Sequence, residues 1–140
     1  MNKKNILVLC TGNSCRSQIA EGYLRYYAAD KANIYSAGIE THGVNPKAIQ
    51  VMADDGMDIS GRTSNHVDEY ISIPFDMVIT VCDNANEACP FFSGNVERFH
   101  QNFPDPAKAT GTPEEIMAEF KSVRDMIKTW TETFVKTHLQ

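Results

Sequence analysis

Short apolar runs and helix-like segments follow one another along the chain. Runs rich in β-branched and aromatic residues, bounded by turn residues, predict four strands at residues 6–9, 33–38, 75–81 and 95–99. Helical signals fall between and after them, at residues 17–29, 45–56, 65–70, 84–89 and from 112 onwards. This alternation predicts a single α/β domain over residues 1–140, with a four-stranded parallel sheet and helices on both of its faces.

Two of the predicted helices show which face they bury. In the first, apolar residues recur at helical spacing and are expected to face the core: Ile19, Tyr23, Tyr26 and Tyr27. The last helix begins at a capping box formed by Thr112 and Glu115, with Pro113 at the first helical position. Its apolar residues then step by four or three positions and predict one packed stripe: Ile116, Phe120, Val123, Ile127, Trp130 and Phe134.

The composition is typical of a folded domain, since 42% of the 140 residues are hydrophobic and 22% are charged. A net charge of −5 gives no broad basic face for nucleic acid. No apolar run approaches the length that spans a membrane, and the first residues lack a signal-peptide pattern. We therefore expect a cytoplasmic monomer that binds neither nucleic acid nor membranes.

The segment between the first strand and the first helix carries the strongest chemical signal. Residues 10–17 can wrap into a ring, because Gly12 allows a positive φ and Asn13 tolerates one. Backbone N–H groups then point inward and form an anion site at a helix N-terminus, to which Arg16 adds a planar fork. The residues predicted to line this oxyanion site are Thr11, Gly12, Asn13, Ser14, Cys15, Arg16 and Ser17.

Cys10 lies at the bottom of this predicted ring, where the positive surroundings favour a thiolate and Ser17 can donate a hydrogen bond to it. Such a thiolate is a nucleophile aimed at the central atom of a bound tetrahedral oxyanion. The alternative is a buried cysteine at a strand end and a solvated charge on Arg16. The Gly-Asn pair inside the ring and the strand and helix around it favour the nucleophile.

Two further cysteines, Cys82 and Cys89, predict redox chemistry. The four cysteines, at positions 10, 15, 82 and 89, lack the spacing of a zinc site. Cys82 and Cys10 both end a predicted strand, and neighbouring strands lie about 4.8 Å apart, within the reach of a disulfide. A helix from Cys82 to Cys89 would separate them by about 10.5 Å, so a bridge between them requires the helix to unwind. The alternative is two unrelated cysteines.

Asp105, between Pro104 and Pro106, is the candidate general acid. Attack on an oxyanion requires a proton for the departing oxygen, and a carboxyl group over the ring could supply it. The alternative is an ordinary turn residue. The histidines show no ligand spacing and are expected at the surface or in loops: His42, His66, His100 and His138.

These motifs together resemble a known superfamily. Residues 10–17 are similar to the phosphate loop of the low-molecular-weight protein tyrosine phosphatases, and the chain as a whole most resembles the thioredoxin-coupled arsenate reductases within it. Gln18 stands where the phosphatases usually place proline, and no tyrosine follows Asp105 and Pro106. The pair Cys82 and Cys89, before a proline, also resembles the reductases.

The resemblance implies reduction of arsenate, with phosphate or sulfate as competing anions, by a relay of three cysteines. Cys10 attacks arsenate while Asp105 protonates the leaving oxygen, and Cys82 then forms a disulfide with Cys10. Cys89 next attacks Cys82, which frees Cys10 and leaves a disulfide between Cys82 and Cys89. Reduced thioredoxin reduces the last disulfide, and no cofactor is tightly bound. Cys15 lies outside the relay and is expected either to be dispensable or to trap Cys10 under oxidative stress.

The resemblance also implies a potassium site in some members. Its ligands match Asn13, Glu21, Ser36, Thr63 and a carboxylate at position 65. Here position 65 is Asn65, and the missing charge weakens the site, because hard cations gain affinity from ligand charge.

Two other functions remain open at this point. The first is a phosphatase that hydrolyses phosphotyrosine or a small phosphoester through a phosphocysteine at Cys10, since phosphate and arsenate share shape and charge. The second is a non-enzymatic redox or oxyanion sensor that changes shape when Cys82 and Cys89 join.

Overall fold

Four parallel strands form the sheet in this computed structural model, which describes residues 3–90, 92 and 94–139. They are β1 (Lys4–Cys10), β2 (Ala32–Gly38), β3 (Met77–Thr80) and β4 (Glu97–His100), in the order β2-β1-β3-β4. The central strand β1 is fully buried from Ile6 to Leu9, as its unbroken apolar run predicts. The predicted four-stranded parallel α/β fold is confirmed, although β3 is shorter than predicted and β4 begins later.

Helices cover both faces of this sheet, but unequally. The four helices are α1 (Arg16–Ala28), α2 (Pro46–Asp54), α3 (Asp83–Glu87) and α4 (Pro113–His138). The long helices α1 and α4 pack on each other and on one face, where Phe99 of β4 meets Phe134 of α4 at 5.0 Å between ring centroids. Among the described residues, the other face carries the short helix α3, loops and a 3₁₀ turn, Val67–Tyr70, whose Tyr70 packs on Tyr35.

The buried face of α1 differs from the predicted one. Ile19 and Tyr23 are buried as expected, but Tyr26 is 66% exposed, so its predicted place in the core is wrong. Leu24 is fully buried instead. Because α1 is covered by the sheet on one side and by α4 on another, its buried face is wide and is displaced away from Tyr26.

Side chains cap the starts of α2 and α4, in the second case as predicted. The side chain of Asn45 accepts a hydrogen bond from the N–H of Lys47 at the start of α2. Thr112 and Glu115 form both halves of the capping box at the start of α4. The predicted apolar stripe of α4 is buried at Phe120, Val123, Ile127 and Phe134.

Among the described residues, no helix has both the length and the apolar character needed to cross a membrane.

The carboxyl ends of β1 and β3 lie side by side, which is the condition for Cys82 to reach Cys10. In their register Leu9 pairs with Thr80, and the pairing continues through a hydrogen bond of 3.0 Å from the N–H of Val81 to the carbonyl of Leu9. Cys10 ends β1, and Cys82 follows β3. The two cysteines therefore lie at the same edge of the sheet.

Asp55, directly after α2, connects three helices. Its carboxylate accepts hydrogen bonds from Lys128 of α4 at 2.8 Å and from the hydroxyl of Tyr23 of α1 at 2.7 Å. The hydrogen bond from Lys128, and then that from Tyr23, holds the pKa of Asp55 below its ordinary value of 3.8. A carboxyl group with a lowered pKa stabilises the fold above its unfolded pKa, and this contribution is lost as the pH falls through the folded value.

We expect Asp55→Asn to lower the free energy of unfolding at neutral pH by about 1 kcal/mol, because the side chain is partly exposed and its contacts are screened. The difference from wild type should shrink as the pH falls below 3.8. Urea unfolding across this pH range measures it. The neighbouring exposed Asp54→Asn is the matched control and should change stability little; an equal loss in both variants would contradict the role of Asp55.

Candidate active site

The loop at residues 10–17 turns its carbonyl groups away from the cavity above it. Each carbonyl oxygen from residue 10 to residue 15 accepts a hydrogen bond from outside that run. Within the described part of the chain, the N–H groups of residues 12–16 have no acceptor, so they are free to bind an anion. The donors to the carbonyls are the amides of Ile19, Ile39, Glu40, His42 and Asn45 and the side chains of Gln18 and Ser64.

Asn13 is the buried centre of this loop. Its backbone has a φ of 47°, and its side-chain oxygen accepts a hydrogen bond of 2.8 Å from the N–H of Asn65. That bond sets the orientation of the amide, because only the oxygen can accept. The amide nitrogen then donates to the hydroxyl oxygens of Ser17 at 2.8 Å and Ser36 at 3.0 Å.

The bond from Asn13 determines what Ser17 can do. Since the oxygen of Ser17 accepts from Asn13, its own proton is free for the sulfur of Cys10, which lies 2.9 Å away. Cys10 is 3% exposed, and its sulfur opens on the cavity formed by the loop. A donor at this position stabilises a thiolate, so the arrangement supports nucleophilic chemistry at Cys10.

Gly12 does not have the conformation predicted for it. Its φ is not positive, so the expectation of a left-handed glycine here is wrong, and within the loop only Asn13 adopts that conformation. A side chain at Gly12 would meet the ring of His42, an exposed side chain that can turn away. A side chain at Gly38 would approach the backbone nitrogen of Asn13 to 2.7 Å. Because backbone cannot yield as a side chain can, the glycine that this packing requires is Gly38.

Arg16 joins the loop to the segment that carries Asp105. One guanidinium nitrogen donates to the carbonyl of Phe103 at 3.0 Å, and another lies 3.7 Å from a carboxylate oxygen of Asp105. The other oxygen of Asp105 accepts the N–H of Ala107 at 3.0 Å. Asp105 is thus held at the mouth of the cavity, within reach of the space above Cys10.

The cavity above the loop suits a small oxyanion. Its volume of about 240 Å³ is roughly eight times the ~30 Å³ of a liquid water molecule. Positive groups dominate its polar lining, since Arg16 and Lys108 reach it together with the free backbone amides, and Asp105 is the one carboxylate among its described lining residues. A tetrahedral anion is the ligand that this distribution of donors favours.

Cys82 lies beside this cavity. Its side chain is 3% exposed, its sulfur is 3.2 Å from the hydroxyl of Thr11, and it accepts the N–H of Ala85 at 3.4 Å as the N-cap of α3. Thr11 directly follows Cys10. A second cavity of about 310 Å³ contains Cys82 in its wall and shares Thr11, Arg16, Asp105 and Lys108 with the first. The sulfurs of Cys10 and Cys82 therefore open on adjoining cavities.

Cys89 lies beyond the other end of α3 and is only half-buried. Its sulfur accepts a hydrogen bond of 3.0 Å from the guanidinium of Arg98 on β4. All four cysteines are free thiols, and the helix α3 separates Cys89 from Cys82. A disulfide between Cys82 and Cys89 therefore requires α3 to rearrange, in agreement with the spacing argument.

Cys15 belongs to the loop but differs chemically from Cys10. Burial, and after it the negative charges of Asp105 and Cys10, raises the pKa of Cys15 to about 12, while Arg16 acts in the opposite direction. Its carbonyl starts α1 by accepting the N–H of Ile19. Cys15 therefore contributes backbone to the anion site and keeps its thiol protonated.

The residues of the implied potassium site lie together, but they do not fit the ion. Ser36 donates to Glu21 and accepts from Asn13, and Thr63 donates to Asn65. The carboxylate of Glu21 already pairs with the guanidinium groups of Arg25 and Arg62. Two cations therefore neutralise the one carboxylate of the set, and the neutral amide of Asn65 adds no charge.

Several residues of the site carry no local sequence signal. His42 is an exposed loop residue, as expected, and its backbone and ring also contact Gly12 in the wall of the cavity. Gln18 and Ser64 bind the carbonyl of Asn13. Arg98 reaches Cys89 from another strand. Only Gly12, the single glycine of the loop, marks a place where another segment can approach it closely.

Comparison with known proteins places this geometry in a family. The sequence profile of the family "Low molecular weight phosphotyrosine protein phosphatase" matches residues 5–140. A relative from Halalkalibacterium halodurans, named arsenate reductase, is 51% identical over 137 residues, which are 98% of this chain and 99% of the relative. The resemblance predicted from the loop and the cysteine pair is confirmed at this level.

Solved structures agree with the sequence comparison. One described as "An arsenate reductase in oxidized state" superposes with a TM-score of 0.82 at 28% identity, over 96% of this chain and 98% of that chain. Another, described as "An arsenate reductase in the phosphate binding state", gives a TM-score of 0.75 at 28% identity, over 98% and 99%.

We expect Cys15 to resist iodoacetamide in the native protein, because with a pKa of about 12 only roughly one thiol in a thousand is ionised at pH 9. Tandem mass spectrometry is the measurement, since Cys10 and Cys15 share one tryptic peptide. The control is the urea-unfolded chain, in which all four cysteines should react. Labelling of Cys15 at the same rate with and without urea would contradict the effect of burial.

Proposed function

The chain belongs to the low molecular weight phosphotyrosine protein phosphatase family, and from this premise we propose that it reduces arsenate to arsenite. The observation that carries the proposal is the position of Cys82. A phosphatase needs one nucleophilic cysteine, whereas here a buried thiol from outside the loop, that of Cys82, contacts Thr11, the neighbour of Cys10 in the chain. The relatives named arsenate reductase support the same choice.

In the first step, arsenate binds to the free amides of the loop and to Arg16. The thiolate of Cys10 attacks arsenic and forms a sulfur–arsenic bond, while a hydroxyl group of the protonated arsenate takes one proton from Asp105 and departs as water. Ser17 and Asn13 hold the sulfur in position through their hydrogen bonds. The amides and Arg16 stabilise the charge on the remaining oxygens during attack.

In the second step, the thiolate of Cys82 attacks the sulfur of Cys10. A disulfide forms, the sulfur–arsenic bond breaks, and its electron pair stays on arsenic, which leaves as arsenite in the +3 state. The adjoining cavities of Cys10 and Cys82 provide the path of approach. Contact with Thr11 and the capping bond from Ala85 hold the sulfur of Cys82 before it attacks.

In the third step, Cys89 attacks Cys82. The bond between Cys10 and Cys82 breaks, Cys10 leaves as a thiolate, and a new disulfide joins Cys82 to Cys89. The five-residue helix α3 must unwind for this, which costs little because so short a helix has hardly any stability of its own. Thioredoxin, a dithiol, then reduces this disulfide and becomes oxidised, so two electrons pass from thioredoxin to arsenic in each cycle.

The relay predicts distinct outcomes for its three cysteines in an assay with arsenate, thioredoxin, thioredoxin reductase and NADPH. We expect wild type to turn over repeatedly and Cys10→Ser to form no arsenite. Cys89→Ser should release about one arsenite per chain and then stop as a Cys10–Cys82 disulfide, detected by peptide mass spectrometry. Repeated turnover of Cys89→Ser at the wild-type rate would contradict the third step.

The same assay separates the other functions. Glutaredoxin with glutathione in place of thioredoxin tests the identity of the reductant. Steady hydrolysis of an aryl phosphate without any thiol, together with no arsenite, would favour the phosphatase. A Cys10 that does not react with iodoacetamide near neutral pH would favour the sensor.

Asp105→Asn is expected to slow the first chemical step by about 10²- to 10³-fold, within the range typical of a lost general acid. The measurement is the single-turnover rate of arsenite formation at saturating arsenate, with Cys82 and Cys89 intact. Asp30→Asn is the matched control: it removes an exposed carboxylate that is distant from Asp105 in the sequence, and it should react at the wild-type rate. An unchanged rate in Asp105→Asn would remove Asp105 from the mechanism.

A further inference from the structure

We propose that Arg98 is a positioning residue for Cys89, which it orients and whose developing negative charge it stabilises during the attack on Cys82; the inference rests on the proposed function of Cys89. The observation is a hydrogen bond of 3.0 Å from one guanidinium nitrogen of Arg98 to the sulfur of Cys89. No motif or spacing in the sequence connects these two residues, which meet because β4 passes beside the segment that follows α3.

The guanidinium binds two consecutive residues with its fork. While one nitrogen donates to the sulfur of Cys89, the other donates to the carbonyl of Pro90 at 3.4 Å. Two bonds from one planar group set both the position and the direction of the sulfur. A lysine, with a single ammonium, would preserve the charge at this place but not the fork.

The sheet and an aromatic cluster hold Arg98 itself. In the register of the two strands, Arg98 pairs with Val78 of β3, so its backbone is part of the parallel ladder. Its guanidinium lies 5.9 Å from the ring centroid of Phe92, a buried residue that meets Phe75 edge to face at 5.6 Å. Arg98 is therefore a cation fixed to the rigid part of the fold, while Cys89 belongs to a short loop.

The chemistry of the third step explains why a fixed cation is useful there. A thiolate, not a thiol, attacks a disulfide, and a neighbouring guanidinium favours the thiolate. When Cys89 gives its electron pair to the sulfur of Cys82, the negative charge leaves on Cys10. The sulfur of Cys89 then no longer attracts Arg98, so the contact belongs to the reduced protein and is released when the disulfide forms.

A purely structural role would give a different result. If Arg98 only pinned the loop through Pro90 and Phe92, its removal would loosen the segment and expose Cys89. Cys89 would then react faster with an alkylating reagent. If Arg98 stabilises the thiolate, removal makes Cys89 react more slowly. The two roles therefore predict opposite signs for one measurement.

The experiment measures the rate at which iodoacetamide alkylates each cysteine of the reduced full chain near neutral pH, site by site, by tandem mass spectrometry. In Arg98→Met we expect alkylation of Cys89 to slow by about tenfold, the change that accompanies loss of a hydrogen bond from a charged donor near the surface. The rate at Cys10 should stay unchanged, and Arg98→Lys should recover most of the rate at Cys89.

Lys121→Met, which removes the same charge from an exposed position on α4, is the matched control and should leave all rates unchanged. Arg98→Gln replaces Arg98→Met if the latter does not fold, with the same slowing expected. Equal or faster alkylation of Cys89 in the folded variants, or a failure of Arg98→Lys to recover the rate, would overturn the proposal.

This test does not depend on arsenate. If the proposed function failed and no arsenite formed, the alkylation rates would still show whether Arg98 acts on Cys89. If only the role of Arg98 failed, the wild-type protein would still form arsenite with thioredoxin, and Cys89 of Arg98→Met would be alkylated at the wild-type rate or faster. The two failures are thus distinguishable.

Discussion

The buried amide of Asn13 is the interaction on which the rest of the site depends. It adopts the one left-handed turn inside the loop, its oxygen is bound by the N–H of Asn65, and its nitrogen donates to Ser17 and Ser36. A side chain with one acceptor and two donor protons satisfies this set, and aspartate does not, because it cannot donate when ionised. Asn13 thereby aligns the hydroxyl beside the nucleophile with the backbone that forms the anion site.

The need to pair every buried polar group, which Asn13 meets with its side chain, also explains why the carbonyl groups of the loop point outward. A ring of N–H groups can face an anion only if the opposite ends of those peptides find donors elsewhere, since buried polar groups left unpaired cost free energy. The segments after β2 and around Ser64 supply those donors. Folding of the distant segments and formation of the anion site are therefore one event, and the site is rigid before any ligand arrives.

The sequence predicts the fold and the chemical core of the site well, because both depend on local patterns. Apolar runs identify the strands, capping residues identify the starts of helices, and the loop between β1 and α1 is contiguous in the chain. Contacts made across the fold carry no such pattern: the ring of His42 against Gly12 and the bond from Arg98 to Cys89 both depend on how loops and strands are placed. Tyr26 was misplaced for a similar reason, because the wide buried face of α1 follows from its two packing partners.

The thiol of Cys82 is also the cap of α3, and this double use has a consequence for the whole segment. In the proposed relay, a disulfide at Cys82 would draw its sulfur away from the amide of Ala85 and so remove the hydrogen bond that caps the start of the helix. The order of residues 83–88 would then follow the redox state of Cys82, without any separate sensor. A reductant that recognises an unfolded segment would thereby distinguish oxidised from reduced molecules by shape alone.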